Sequence, residues 1–220
     1  GGDAADKVIV SARTGGETRS EDGLTLFIVD TSASGVSRET YALVDGRGGA
    51  DITLDNVRVP AAAMLGSEGQ AWSVIEHIAD HAAAALCAES LGAFNNVNEL
   101  TLDYLKVREQ FGQPIGTFQV LQHHMADMLI EYENALSLVY QSSMMADSSD
   151  SADRGKAVSS TKVYLGERGH TSCQSAIQMH GGIGMTAEYE LGDYVKRMAI
   201  SEVLFGDVDH HVARYGRLAY

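Results

Sequence analysis

The chain has 220 residues, 45% of them hydrophobic, with two prolines and two cysteines, enough for one sizeable domain or two modest ones. Its 30 acidic and 16 basic side chains leave a formal net charge of -14, which argues against nucleic acid and against an anionic membrane surface, since both need clustered positive charge. No apolar run is long enough to span a bilayer and no signal peptide opens the sequence, so a soluble cytoplasmic protein is expected.

The first residue is not Met, and Gly1-Gly2-Asp3-Ala4-Ala5-Asp6 leads straight into the strand-like Lys7-Val8-Ile9-Val10-Ser11-Ala12. A strand with no earlier element to pair it suggests that the chain begins inside a domain. Val8–Val10, Leu24–Val29 and Ala50–Leu54 are short β-branched or apolar runs. Gly/Ser/Asp-rich turns such as Thr14-Gly15-Gly16 and Asp45-Gly46-Arg47-Gly48-Gly49 separate them. Val57-Arg58-Val59 reads as a further strand ended by Pro60. Residues 1–66 are therefore expected to form part of an antiparallel β domain.

After Gly66 the period becomes helical. A long helix is expected from about Gln70 to Gln110, through the alanine run Ala82–Ala85, which favours close helix approach. A second helix starts near Thr117 as its N-cap and carries Phe118, Leu121, Met125, Met128, Tyr132, Leu136 and Val139 at three- and four-residue steps. The polar stretch Met144–Asp153 reads as a loop. A third helix spans roughly Arg154 to Met179 and stops at His180-Gly181-Gly182. A fourth covers about Leu191 to Leu204; Gly206 breaks it, and Asp207 caps a final helix with Asp209 in its first turn. Long helices with short connections make an antiparallel four-helix bundle over residues 67–220, and the fold class is α+β with segregated domains. Cys87 and Cys173 lie within the helical apolar pattern and read as buried thiols. Trp72, Tyr132 and the methionines read as core.

Two segments carry chemistry. Arg108-Glu109-Gln110-Phe111-Gly112-Gln113-Pro114-Ile115 ends the first long helix. An Arg beside a Phe at a Gly-Pro turn suits an anionic, partly aromatic ligand, because a guanidinium binds a diphosphate bidentately while a ring packs on a flat face. The bland alternative is a basic residue at the negative end of the helix dipole. Gln178-Met179-His180-Gly181-Gly182-Ile183-Gly184-Met185 follows a helix rather than a strand, so it is no Rossmann fingerprint. Its glycines either stop the helix or leave backbone bare for a ligand, with Gln178 supplying an amide.

Taken together these segments resemble the acyl-CoA dehydrogenase family. The resemblance lies in Tyr104–Ile115 with Phe118-Gln119 and Gln122-His123, and in Ile177–Gly184 with Glu188-Tyr189. Ala5–Val10, Leu26–Val29 and Leu54–Pro60 look like the later half of the family's central β domain. The resemblance implies FAD at a subunit interface. Arg108, Gln110 and Phe111 would contact its diphosphate end, with Gln178, Gly181 and Gly182 nearby, on a neighbouring subunit's cofactor. It also implies an acyl-CoA substrate, a second acyl-CoA dehydrogenase subunit in a homo- or hetero-tetramer, and electron-transfer flavoprotein as acceptor.

The family removes an α proton with a carboxylate while hydride leaves the β carbon, and such a general base contributes roughly 10²–10⁴-fold. At the usual place of that carboxylate, before a Gly, stands Phe205; at the alternative place on the first long helix stands Ala82. Three readings remain. One is a non-catalytic partner chain of a heteromeric enzyme, resembling the small subunit of pimeloyl-CoA dehydrogenase and the paired subunits of bacterial sterol side-chain dehydrogenases. Another is a self-sufficient enzyme using another carboxylate, either Glu89 or Asp207 or one on the family's N-terminal domain, which this sequence does not match, although Asp207 looks like a helix cap and Glu89 could pair with a neighbouring helix. The third is a non-enzymatic acyl-CoA- or protein-binding relative. Asp207-Val208-Asp209-His210-His211 is not read as a metal site, since adjacent helical side chains diverge and no third cluster matches. His123-His124 reads as packing or polar support.

Overall fold

Strand β1 (Lys7–Arg13) alternates exposed and half-buried residues along its length, as a strand covered on one face does. It pairs antiparallel with β2 (Leu24–Asp30), from Lys7↔Asp30 to Arg13↔Leu24. Strands β3 (Val36–Ala42) and β4 (Gly48–Leu54) form a separate hairpin, and the two-residue β5 (Met64–Leu65) joins the free edge of β2. The computed structural model describes residues 1–220 in two compact units, Gly1–Ile78 and Ala79–Tyr220.

Within the first unit, Arg13 ties down the β1–β2 loop through the carbonyls of Gly15, Ser20 and Asp22. Thr25 is fully buried, and its hydroxyl bonds the Thr14 hydroxyl and accepts the Gly69 N–H. The strand expected at Val57–Val59 does not form. Asn56 takes a left-handed conformation (φ 51) that turns the chain out of β4, and a 3₁₀ turn at Ala61–Ala63 precedes β5. Conversely, β3 is a strand that the sequence gives no sign of: all but Val36 are exposed, so no apolar alternation marks it.

The second unit is helical. Helix α1 (Trp72–Val107) buries Ala83, Cys87, Ser90, Phe94, Val97, Thr101 and Leu105, one stripe at three- and four-residue steps. The Ser90 and Thr101 hydroxyls bond back to the carbonyls of Leu86 and Val97, so neither polar group is stranded in the apolar face. Helices α2 (Gln119–Met145), α4 (His170–His180) and α5 (Leu191–Val203) complete a four-helix core around Phe94, Met128, Cys173 and Leu191. Tyr132 meets Phe94 edge-on at 5.8 Å. Burial pushes both thiols up to about 12, which leaves them inert. Helix α3 (Ser151–Tyr164) packs on α6 (Val208–Ala219), where Gly155 leaves room for Leu218. The buried Asp80 carboxylate of α1 is held by Arg154 of α3 and Arg214 of α6.

Several boundaries differ from expectation. Thr117 is not the cap of α2: its hydroxyl donates to the Pro114 carbonyl, and Phe118 takes the cap position without a side-chain bond. Asp150 caps α3 through Ala152 and Asp153, so that helix starts earlier than Arg154. The single helix expected from Arg154 to Met179 carries a π turn at Leu165–Gly169, between α3 and α4. Trp72 opens α1 39% exposed and is not core, and Met144 and Met185 are exposed as well. No helix is long and apolar enough to cross a membrane.

Candidate functional site

The end of α1 runs into a tight hairpin. Strands β6 (Glu109–Gln110) and β7 (Gln113–Pro114) pair across Phe111 and Gly112, whose φ values are 54 and 77. Two consecutive positive φ values define the type I′ turn, which normally takes Asn-Gly. Phe111 therefore sits where a bulky side chain is costly. Its ring is 92% exposed and touches Phe118 edge-on at 6.1 Å. Arg108 is fixed at the base of the hairpin by its backbone, its N–H donating to Tyr104 O and its carbonyl accepting from Ile115. Its guanidinium is exposed and makes no ion pair or hydrogen bond within the chain. Gln110 donates to the neighbouring Glu109 carbonyl.

Helix α4 stops where Gly181 takes φ 62 and ψ -138, its N–H returning to the carbonyls of Gln178 and Ile177. Gly182 is different. Its backbone has no positive φ, and a Cβ placed there would meet nothing within 4 Å. Neither conformation nor internal packing demands a glycine at 182, so the open side suits approach from outside the chain. Gln178 is exposed and lines a groove between α2 and α4 with Leu121, His124, Ser175 and Met179.

One stack brings the two segments together. Tyr104, one turn before Arg108, lies on His180 with centroids 4.5 Å apart, and Tyr189 closes the cluster at 5.1 Å from the same imidazole. His180 Nδ1 faces the Ala176 carbonyl at 2.8 Å, which can only accept. Nδ1 thus donates to Ala176, and Nε2 lies 3.3 Å from the Tyr189 hydroxyl. Burial holds this imidazole below its ordinary pKa. No spacing rule marks the stack, because Tyr104 and His180 meet only through the packing of α1 on α4.

The two positions that the resemblance gives to a carboxylate lie elsewhere in this unit. Ala82 is half-buried on α1. Phe205, between α5 and α6, has φ 57 and is followed by Gly206 at φ 103. Glu89 forms a bidentate pair with Arg197 of α5, at 2.9 and 2.6 Å. Asp207 caps α6 by accepting from His210 N. His123 and His124 are exposed, and His124 lines the groove.

A buried polar set lies behind the backbone of Phe205, and of its members the sequence singled out only His211, within the Asp/His cluster. Lys162 Nζ donates to the carbonyls of Ser201, Glu202 and Leu204 at 2.7–2.9 Å, closing the C-terminus of α5. His211 Nε2 faces the Phe205 carbonyl and Nδ1 faces the Ser159 hydroxyl, both at 3.1 Å. A carbonyl cannot donate, so Nε2 carries the proton and Ser159 donates to Nδ1. Burial pushes this histidine down to about 4.

The family model described as acyl-CoA dehydrogenase, C-terminal domain, matches residues 69–217. A probable acyl-CoA dehydrogenase, YngJ of Bacillus subtilis, is 31% identical over 202 residues, 90% of this chain and 53% of its own length. The caffeyl-CoA reductase-Etf complex subunit CarC of Acetobacterium woodii is 30% identical over 189 residues, 84% of this chain and 49% of its own. Among solved structures, the Tcur3481-Tcur3483 steroid ACAD G363A variant superposes with a TM-score of 0.81 at 31% identity, over 98% of this chain and 55% of that one. The chain spans about half the length of the curated relatives it matches.

Proposed function

Since the chain belongs to the acyl-CoA dehydrogenase family through its C-terminal domain, we propose that it is a subunit of an FAD-dependent enzyme that dehydrogenates an acyl-CoA thioester, acting as the non-catalytic partner in a heteromeric assembly. The observation that carries this reading is the unengaged Arg108 guanidinium at the base of a strained hairpin, joined by the Tyr104–His180 stack to the open Gly181-Gly182 turn. These residues fit FAD. Arg108 takes a diphosphate oxygen pair, Phe111 offers an exposed ring for a flat face, Gln178 offers an amide, and Gly182 leaves space that a Cβ would fill. Gln110 and Gly181 belong to the same two turns. When bound, FAD supplies the hydride acceptor. What this chain contributes is binding and orientation, toward the flavin of a neighbouring subunit.

Phe205 and Ala82 bring no carboxylate to the proton-abstraction step. Glu89 is engaged by Arg197 and Asp207 by the first turn of α6, so neither supports a self-sufficient enzyme. The domain assignment that goes with the proposal is residues 1–66 as the later part of a β domain and 67–220 as the C-terminal bundle. Electron-transfer flavoprotein is the proposed acceptor, in keeping with a relative named as a subunit of an Etf complex. The test is R108A in the intact natural protein, isolated with any chain that copurifies. A fall of about tenfold or more in flavin retention is expected, as for loss of a charge-assisted bidentate contact. An unchanged flavin-to-protein ratio would remove the assignment.

A further inference from the structure

Thirteen polar or charged side chains are buried, and twelve of them hydrogen-bond within the chain. Ser172 on α4, 4% exposed, is the exception. A buried hydroxyl without a partner is destabilising. Helical serines and threonines ordinarily return the hydroxyl to the carbonyl one turn back, as Ser90, Ser201 and the adjacent Thr171 do. The carbonyl one turn before Ser172 belongs to Arg168, inside the π turn Leu165–Gly169, and π turns gather at functional sites. The Ser172 hydroxyl is not sealed in the core, as the orphaned Asn98 Oδ1 is. It opens on a cavity of about 240 Å³ between α2 and α4.

The two walls of this cavity differ in sign. On the α4 side, Arg168, Ser172 and Ser175 follow at four- and three-residue steps and so share one face, a guanidinium with two hydroxyls. On the α2 side stand Asp127 and Glu131, one turn apart. Glu131 is engaged by the Tyr164 hydroxyl at 2.5 Å, which leaves Asp127 as the open carboxylate. Arg168 and Asp127 line the same cavity, yet neither makes an ion pair or hydrogen bond within the chain. A simple anion placed here would lie against Asp127 and Glu131, and a simple cation against Arg168. A molecule carrying both charges satisfies both walls. Met128 gives the cavity an apolar floor and Ile130 an apolar rim. The volume equals about eight waters at about 30 Å³ each, room for a molecule of about that many non-hydrogen atoms.

We infer that this cavity is a binding site for a small aliphatic α-amino acid, its carboxylate held by the Arg168 guanidinium and the Ser172 hydroxyl and its ammonium by Asp127. The site does not depend on the flavin reading, although it adjoins the residues of that reading. The cavity and the groove of Gln178 have His124, Thr171 and Ser175 in common, so the amino acid lies against a wall shared with the flavin contact.

The experiment is calorimetric titration of the intact natural protein, with any chain that copurifies, using three probes: L-valine, isovalerate, which lacks the ammonium, and isobutylamine, which lacks the carboxylate. L-valine should bind, and each of the other two at least about tenfold more weakly, the scale of one lost charge-assisted contact. R168M should abolish the preference for L-valine over isobutylamine, and D127N the preference over isovalerate. S172A should weaken L-valine by about fivefold, the scale of one hydrogen bond. Its Tm should stand at or above the native value, because the hydroxyl that is removed has no partner in the unliganded chain. A lowered Tm with unchanged L-valine affinity would instead mark Ser172 as structural and remove it from the site. The proposal is overturned if L-valine gives no binding heat, the result expected where a partner chain fills the cavity. It is equally overturned if L-valine binds no more tightly than the single-charge probes, or if R168M and D127N keep the native preferences. Flavin content enters none of these readouts, so the outcome for R108A and the outcome here are separate.

Discussion

Phe111 and Gly182 are out of keeping with their own chain in opposite ways. One is a bulky residue where the backbone favours glycine, and the other is a glycine where backbone and packing would accept a side chain. Arg108 and Gln178 stand out in the sequence as proposed site residues, because each sits in a segment of several informative residues. Lys162 and His211 do not. A single lysine in a helix has no periodic signature, and its three carbonyl partners come from residues about forty positions away. His211 was visible only as part of an Asp/His cluster whose members turn out to serve different ends, Asp207 as a cap and His211 as a buried strut. Its pH response follows from burial. With a folded pKa near 4 against an ordinary 6.5, the unfolded chain takes up the proton first as pH falls. The stability linked to His211 is therefore complete above pH 6.5 and is lost between 6.5 and about 4. Urea titrations across that range should give a shallower pH dependence for H211Q than for the native protein; parallel curves would count against a neutral buried imidazole.

At the scale of elements, helix existence was legible and helix continuity was not. Apolar stripes on α1 and α2 marked those helices clearly, because each buries one face against the others. The π turn at Leu165–Gly169 has no local signal, since it answers to neighbours in α5 and α6. Strand β3 escaped for a related reason: it is a strand by its pairing with β4 and not by a buried face. The two glycines of the π turn can be told apart. A Cβ at Gly166 would lie 2.5 Å from Val208 Cγ2, on a stiff β-branched side chain, whereas one at Gly169 would meet the mobile tip of Met198 at 2.7 Å. G166A should destabilise by about 1–3 kcal/mol and G169A by clearly less. Equal losses in chemical denaturation would show that the π turn, and not its neighbours, sets the limit.

For the whole molecule, the family was legible because two co-linear signatures fall in one order, and the family model covers 69–217. The role within an assembly is a different matter, since it depends on surfaces that meet another chain. Exposed Leu129, Ile130, Tyr140 and Met144 on α2 share one side of the helix next to its core stripe, so sequence pattern does not separate them from core positions. The proposal makes a definite statement at this scale. Intact protein produced alone should give little acyl-CoA-dependent flavin bleaching, and a tagged form should copurify with a second dehydrogenase chain. Robust turnover by the isolated chain would end the partner-subunit reading.

The bonds that fix the end of α5 reach Ser201, Glu202, Leu204 and Phe205 only through their carbonyl oxygens. Every amino acid has that oxygen. The mount at position 205 is thus indifferent to the tool it carries: a carboxylate, a ring or a methyl group could be exchanged there without moving the socket.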